Sequence, residues 1–205
     1  MKRTVAAMAA LLVCSVASAQ ELGTGVESLQ AGGGISDFTG AAASALTKLG
    51  ATLDIHLGLH FVDLPVSVEV GYVGSIHPTN EIMGPLAGNA TINSNGLESL
   101  VRYNFRLQAP VSPFVFGGFG WDHWSLGGGS QSNPLAIQGS DNTAVFPFGG
   151  GVEYPFARHW DVDGRFTYRT TILDDMLLTN AAGQPNSGAK SMTTWNMTAR
   201  VGYLF

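Results

Sequence analysis

The residues with chemistry to offer are few and regularly placed. Asp54, Glu69, Glu98, Glu153, Asp161 and Asp163 stand against Arg102, Arg165, Arg169 and Arg200, with His56 among them, in a chain that is only 12% charged. A soluble domain carries about twice that fraction. Each of these charges falls within a run in which alternate residues are apolar or aromatic, so each belongs to the polar side of an alternation. Opposed charges in such a setting can work as a gate, or they can neutralise one another in a narrow interior, because buried charges persist only when paired.

The remaining candidate chemistry is weaker. His56 and His60 share one strand face, but positions four apart in a strand are about 13 Å apart, too far to hold one ion. His77, His123 and His159 fall at strand ends or turns, so no metal site is expected. His77 and His123 lie near Ser75, Ser125 and the Asp174-Asp175 pair, pieces that occur in any serine-rich rim; a catalytic triad is defined by geometry, and no enzyme activity or cofactor is expected. Gly32–Gly34 and Gly149–Gly151 are not phosphate cradles, which join a strand to a helix. Inside strands they leave room for bulky side chains from neighbouring strands. No basic patch exists to neutralise nucleic-acid phosphates in a chain of net charge −5.

The elements that must carry these residues are strands. Trp195, Met197, Ala199, Val201, Tyr203 and Phe205 alternate with Asn196, Thr198, Arg200, Gly202 and Leu204, which separates an apolar face from a polar one. Leu49–Leu59, Val66–Tyr72, Leu97–Phe105 and Val162–Tyr168 repeat the pattern with Asp54, Glu69, Glu98, Arg102, Arg165 and Arg169 on the polar side. Ser28–Ser36, Phe114–Trp124 and Thr143–Tyr154 alternate less cleanly, and the outward face of Phe114–Trp124 is left open. Pro147 removes a ladder donor and is expected near a rim, where water can compensate.

Eight segments result. Their connections alternate between short (His60–Pro65, Arg106–Pro113, Pro155–His159) and long (Asp37–Lys48, His77–Ile92, Ser125–Asn142, Ile172–Ser191). Aromatics gather at both ends: Tyr72, Trp121, Trp124, Phe146, Tyr168 and Trp195 towards the long connections, and Phe61, Tyr103, Phe105, Phe114, Tyr154, Trp160, Tyr203 and Phe205 towards the short ones. An even strand count, unequal connections and two aromatic girdles predict an all-β fold, an eight-stranded antiparallel up-and-down transmembrane β-barrel. Such a barrel is just wide enough to be filled by its own side chains. The set Asp54, Glu69, Glu98, Arg102, Glu153, Asp163, Arg165, Arg169 and Arg200 is therefore read as a structural network in the lumen, and removing Arg200 is expected to open a water path.

The N-terminus reads as a targeting segment. Lys2 and Arg3 precede an apolar run over Thr4–Val16, and Ala17-Ser18-Ala19 has the small-x-small cleavage pattern, which divides the chain into a signal peptide, 1–19, and a barrel domain, 20–205. That run is too short to span a bilayer as a helix. Lipidation at Cys14, the single cysteine, is disfavoured by Val13 before it, so the mature chain has no thiol for a disulfide or a zinc site.

Three stretches resemble the OmpA-like family of outer-membrane barrels. Pro113-Phe114-Val115-Phe116-Gly117-Gly118-Phe119-Gly120 is similar to that family's Pro-aromatic-Val-x-Gly strand. Gly149-Gly150-Gly151-Val152-Glu153-Tyr154 with its following strand is similar to the next hairpin, and Tyr203-Leu204-Phe205 resembles the terminal signal read by the barrel assembly machinery. The resemblance implies an outer-membrane location, contact with outer-membrane lipid, and an assembly role for Tyr203 and Phe205. It also implies a non-enzymatic part in envelope structure or, through four exposed loops, in surface interaction with a ligand it does not name. A narrow pore for ions or small apolar solutes is the alternative, and a lipid-modifying enzyme a more distant one. Larger members continue into a peptidoglycan-binding domain; this chain stops at the last strand, so cell-wall anchoring does not carry over.

Mass spectrometry of the purified protein is expected to show an N-terminus at Gln20, in material that leaves the membrane only with detergent. A mature species recovered as a soluble monomer would overturn the membrane reading.

Overall fold

Period-two alternation without long polar interruptions leaves each segment no stable partner except another strand, and the segments pair in chain order. The computed structural model describes residues 25–61, 63–79, 90–105, 107–127, 140–172 and 192–205. The targeting segment and the Asp174-Asp175 pair lie outside these residues. The strands are β1 (Gly25–Phe38), β2 (Gly50–Phe61), β3 (Val66–Pro78), β4 (Thr91–Asn104), β5 (Ser112–Gly127), β6 (Ser140–Pro155), β7 (Trp160–Ile172) and β8 (Thr194–Leu204). Each pairs antiparallel with its sequence neighbours, and β8 pairs with β1, so the sheet closes into a barrel with no free edge. The first long connection carries a short helix, α1 (Ala41–Leu46), where the residue pattern indicated only a loop.

The stagger of the closed sheet follows from the pairing. A path of paired residues runs Glu27, Leu59, Val68, Val101, Gly117, Phe148, Tyr168, Trp195 and back to β1 at Asp37, ten residues beyond its start. With a rise of about 3.3 Å per residue and about 4.8 Å between strands, this tilts the strands by about 40° from the barrel axis.

Facing agrees with the alternation. Leu53, Ile55, Val70, Val101, Phe166, Met197 and Val201 are exposed on the outer surface, while Asp54, His56, Glu69, Glu98, Arg165, Arg169 and Arg200 are buried within. Aromatic rings pack at both ends of the outer face. Tyr203 lies 5.0 Å from Trp160 and 5.1 Å from Phe205 at the short-turn end. At the other end Phe119, Phe148 and Phe166 pack on Phe146, Tyr168 and Trp195.

Three expectations are corrected. Phe114 and Trp124 do not belong to the girdles: they are 2% and 1% exposed and face the lumen. On β5 both parities carry aromatics, and the facing is decided by Gly118 and Gly120. A Cβ on either would strike the backbone of β4, whereas at Gly117 the nearest atom, on Phe148, is 3.8 Å away. Pro147 is not at a rim but in mid-strand and buried. Pairing with β7 runs through Pro147, while pairing with β5 skips from Gly117–Phe148 to Gly120–Val145, so its missing N–H falls in that interruption. His77, read as the first residue of a long connection, is instead the penultimate residue of β3 and fully buried.

The glycine runs make room where it was expected. A Cβ at Gly32 would lie 2.4 Å from the Arg200 side chain, one at Gly151 2.6 Å from Phe114, and one at Gly149 3.0 Å from Phe116. Gly164, on the lipid-facing side of β7, has nothing within 4 Å. Gly32→Val should therefore lose the heat-sensitive gel migration of a closed barrel, or lower its stability by about 1–3 kcal/mol as overpacking does. Gly164→Val should behave as wild type. Equal behaviour of the two variants would contradict the assigned facing.

Candidate functional site in the barrel lumen

Opposite walls of the lumen are joined at mid-depth by one carboxylate. Glu69, on β3, is 1% exposed, and its oxygens accept from Arg165 Nη2 at 3.0 and 2.8 Å. β3 and β7 are half the ring apart, so this contact crosses the full width of the barrel. Three more basic side chains converge on the same carboxylate: Arg102 Nη1 at 3.4 Å, Arg200 Nη1 at 3.7 Å and His56 Nδ1 at 3.5 Å.

A second acid shares the load. Asp163, on β7, accepts from Arg200 Nε at 2.9 and 3.1 Å and from its Nη2, so the pair is bidentate. The register places Asp163 directly beside Arg200, which makes this contact a cross-strand pair. Arg102 binds Glu153 and donates from Nε to Asn104 at 2.7 Å. Two phenyl rings on β5 complete the layer: the Arg102 guanidinium sits 3.6 Å from the Phe114 ring centre, and that of Arg165 4.3 Å from Phe116. Such stacking is worth about 2 kcal/mol when desolvated.

His56 links this layer to a higher one, with Nε2 3.3 Å from Glu98, which also meets Arg169 Nη1 at 2.7 Å. Asp54 is buried at this level, but its Oδ1 meets no hydrogen-bond donor among the described residues. Of the nine residues assigned to the network, eight are thus drawn into direct ion pairs, and Asp54 is placed beside them.

Sequence reasoning missed Asp122, Phe114 and Phe116. Asp122 is buried in the upper lumen. The signal was present, since Asp122 is the one carboxylate of β5 and a charge on an otherwise apolar strand marks the lumen side.

The remaining histidines do not converge. His60 bonds Ser28 at 2.9 Å, and His77 bonds Ser36 at 2.9 Å and Ser75 at 3.2 Å. His123 points outward to Asn142 at 2.9 Å, and His159 lies against the carbonyl of Leu204 at 2.9 Å. His77 and His123 therefore lie on opposite faces of the sheet.

The comparisons with known proteins agree with this architecture. A family model described as an outer membrane protein beta-barrel domain matches residues 6–205. Among solved structures, Neisserial surface protein A superposes with a TM-score of 0.57 at 18% identity, covering 87% of this chain and 97% of that one. A major outer membrane protein from Thermus thermophilus gives 0.53 at 15% identity, covering 87% and 99%. The N-terminal β-barrel domain of Pseudomonas aeruginosa OprF gives 0.51 at 13% identity, covering 87% and 97%. At these identities the likeness is one of fold. Among curated proteins none matches.

Removing Glu69 leaves four buried basic side chains without the carboxylate they share. Glu69→Ala should lower unfolding stability by about 3–5 kcal/mol, the cost of breaking a buried ion pair from one side. Glu153→Ala should cost less, because the side chain of Glu153 is 21% exposed. Denaturant series on both variants test the order; an equal loss would remove Glu69 from the centre of the network.

Proposed function

The chain belongs to the outer membrane protein β-barrel domain family, and from that premise we propose that it acts as a closed, non-catalytic barrel of the outer envelope. Its body contributes to envelope integrity, and the four longer connections contribute to contacts at the cell surface. The observation that carries this reading is the Glu69–Arg165 contact, which spans the lumen between strands half the ring apart at 2.8 Å. A conduit for solutes would need that line to be open.

Export by the segment 1–19 and delivery to the barrel assembly machinery are part of the same proposal. Phe205 is 66% exposed and Tyr203 packs beside it on the outer face, a surface that an insertion factor can read before lipid covers it. Against a lipid-modifying activity stands the separation of His77 and His123 onto opposite faces of the sheet.

Planar-bilayer recording on the purified full chain provides the test, with no steady conductance steps expected from folded wild-type protein. Large, reproducible channels would replace this reading with transport.

A further inference from the structure

The lumen is crossed a second time, by different chemistry. Phe38 at the end of β1 and Trp124 near the end of β5 lie on strands half the ring apart, yet their ring centres are 5.6 Å from one another. That is direct aromatic contact and leaves no space for water between the rings. Ile92 and Met192, both fully buried, and Ala43 of α1 complete the cluster, with Leu46 and Leu126 packed against it. The connection carrying α1 is tied at both ends. Thr39 N donates to Thr193 O at 2.9 Å on one side, and Lys48 N donates to Pro78 O at 2.8 Å on the other.

The underside of this cluster is polar. His77 lies 4.5 Å from Phe38 and bonds Ser36, and Trp124 Nε1 donates to Thr143 Oγ1 at 3.2 Å. Beneath it is a cavity of about 10 Å³ lined by Ser36, Ser75, Ser94, Asp122 and Asn196, room for about one water. The Oδ1 of Asn196 finds no partner among the described residues. Below the cavity come the Glu98–Arg169 and Glu69 layers. A polar pocket is therefore enclosed between an ionic layer and an apolar one.

We propose that the barrel is shut twice: by the ionic network at mid-depth and, independently, by an apolar seal of Phe38, Ile92, Trp124 and Met192 at the outer mouth. An apolar constriction resists water by dewetting and needs no charge to do so. The seal therefore holds after the network is cut. The expectation that removing Arg200 opens a water path considers the network alone; with the seal in place that variant stays closed. This inference rests on the closed-body reading above.

The test compares four full-length proteins in planar bilayers: wild type, Glu69→Ala/Arg200→Ala, Phe38→Ala/Trp124→Ala, and the combination of all four changes. Heat-dependent gel migration establishes closure of each barrel first. Wild type and both partial variants are expected to stay at baseline, and the combined variant to gain step-like conductance. If the combined variant does not fold, Trp124→Ala with the two network changes takes its place.

Conductance by Glu69→Ala/Arg200→Ala alone, with silent wild type, would show that no seal exists and leave the closed body standing. Conductance by Phe38→Ala/Trp124→Ala alone would show that the network is no barrier. A folded combined variant that stays silent would place the closure elsewhere. A conducting wild type would instead overturn the closed-body reading itself.

Discussion

Lipid offers the backbone no hydrogen bonds, and from that constraint the rest of this molecule follows. Each N–H and C=O in the bilayer must be satisfied within the sheet, which is possible for strands only if the sheet closes. Eight strands with a stagger of ten residues close at a radius of about 8 Å. At that radius side chains from opposite walls meet, as Glu69 meets Arg165 and Phe38 meets Trp124. The lumen is a packed core, and each inward residue must be compatible with a partner from the far wall.

That core is ionic where most cores are apolar. Replacing a buried ion network by apolar residues of equal volume often leaves stability unchanged or higher, so stability alone does not account for Glu69, Asp163 and their arginines. Facing does. A slip of one residue in register turns a strand's side chains to the other face. With apolar residues on both faces such a slip would cost little in a membrane. With Arg200 or Asp163 inward it would carry charge into lipid. The charges thus specify which way the strands face, and the pairing between them makes that specification tolerable in a buried interior.

Size is matched as closely as charge. Gly32 lies beside Arg200, and Gly149 and Gly151 beside Phe116 and Phe114, at distances that leave no space for a Cβ. Those phenyl rings then support the guanidinium groups of Arg102 and Arg165. Missing side chains on β1 and β6 are therefore what allow the long side chains of β8 and β5 to lie across the lumen. The interruption of the β5–β6 ladder at Pro147 lies in the same part of the wall.

Much of this was legible in the order of residues. Alternation is a property of neighbours in the chain, so the eight strands and the inward facing of Glu69, Arg165 and Arg200 could be read without coordinates. So could the need for glycine near bulky side chains. On β5 alternation is ambiguous, because both parities carry aromatics: Phe114 and Trp124 fit a girdle by position, and only Asp122 on the same parity marks their face as inward. The tertiary structure alone decided which charges meet. Glu69 and Arg165 are 96 residues apart, and their contact depends on how far the sheet is staggered when β8 joins β1. The stagger is the sum of seven turns and loops, and no local pattern encodes it. The apolar closure at the mouth has the same origin, since Phe38 and Trp124 meet only because the ring they stand on is narrow enough for its far sides to touch.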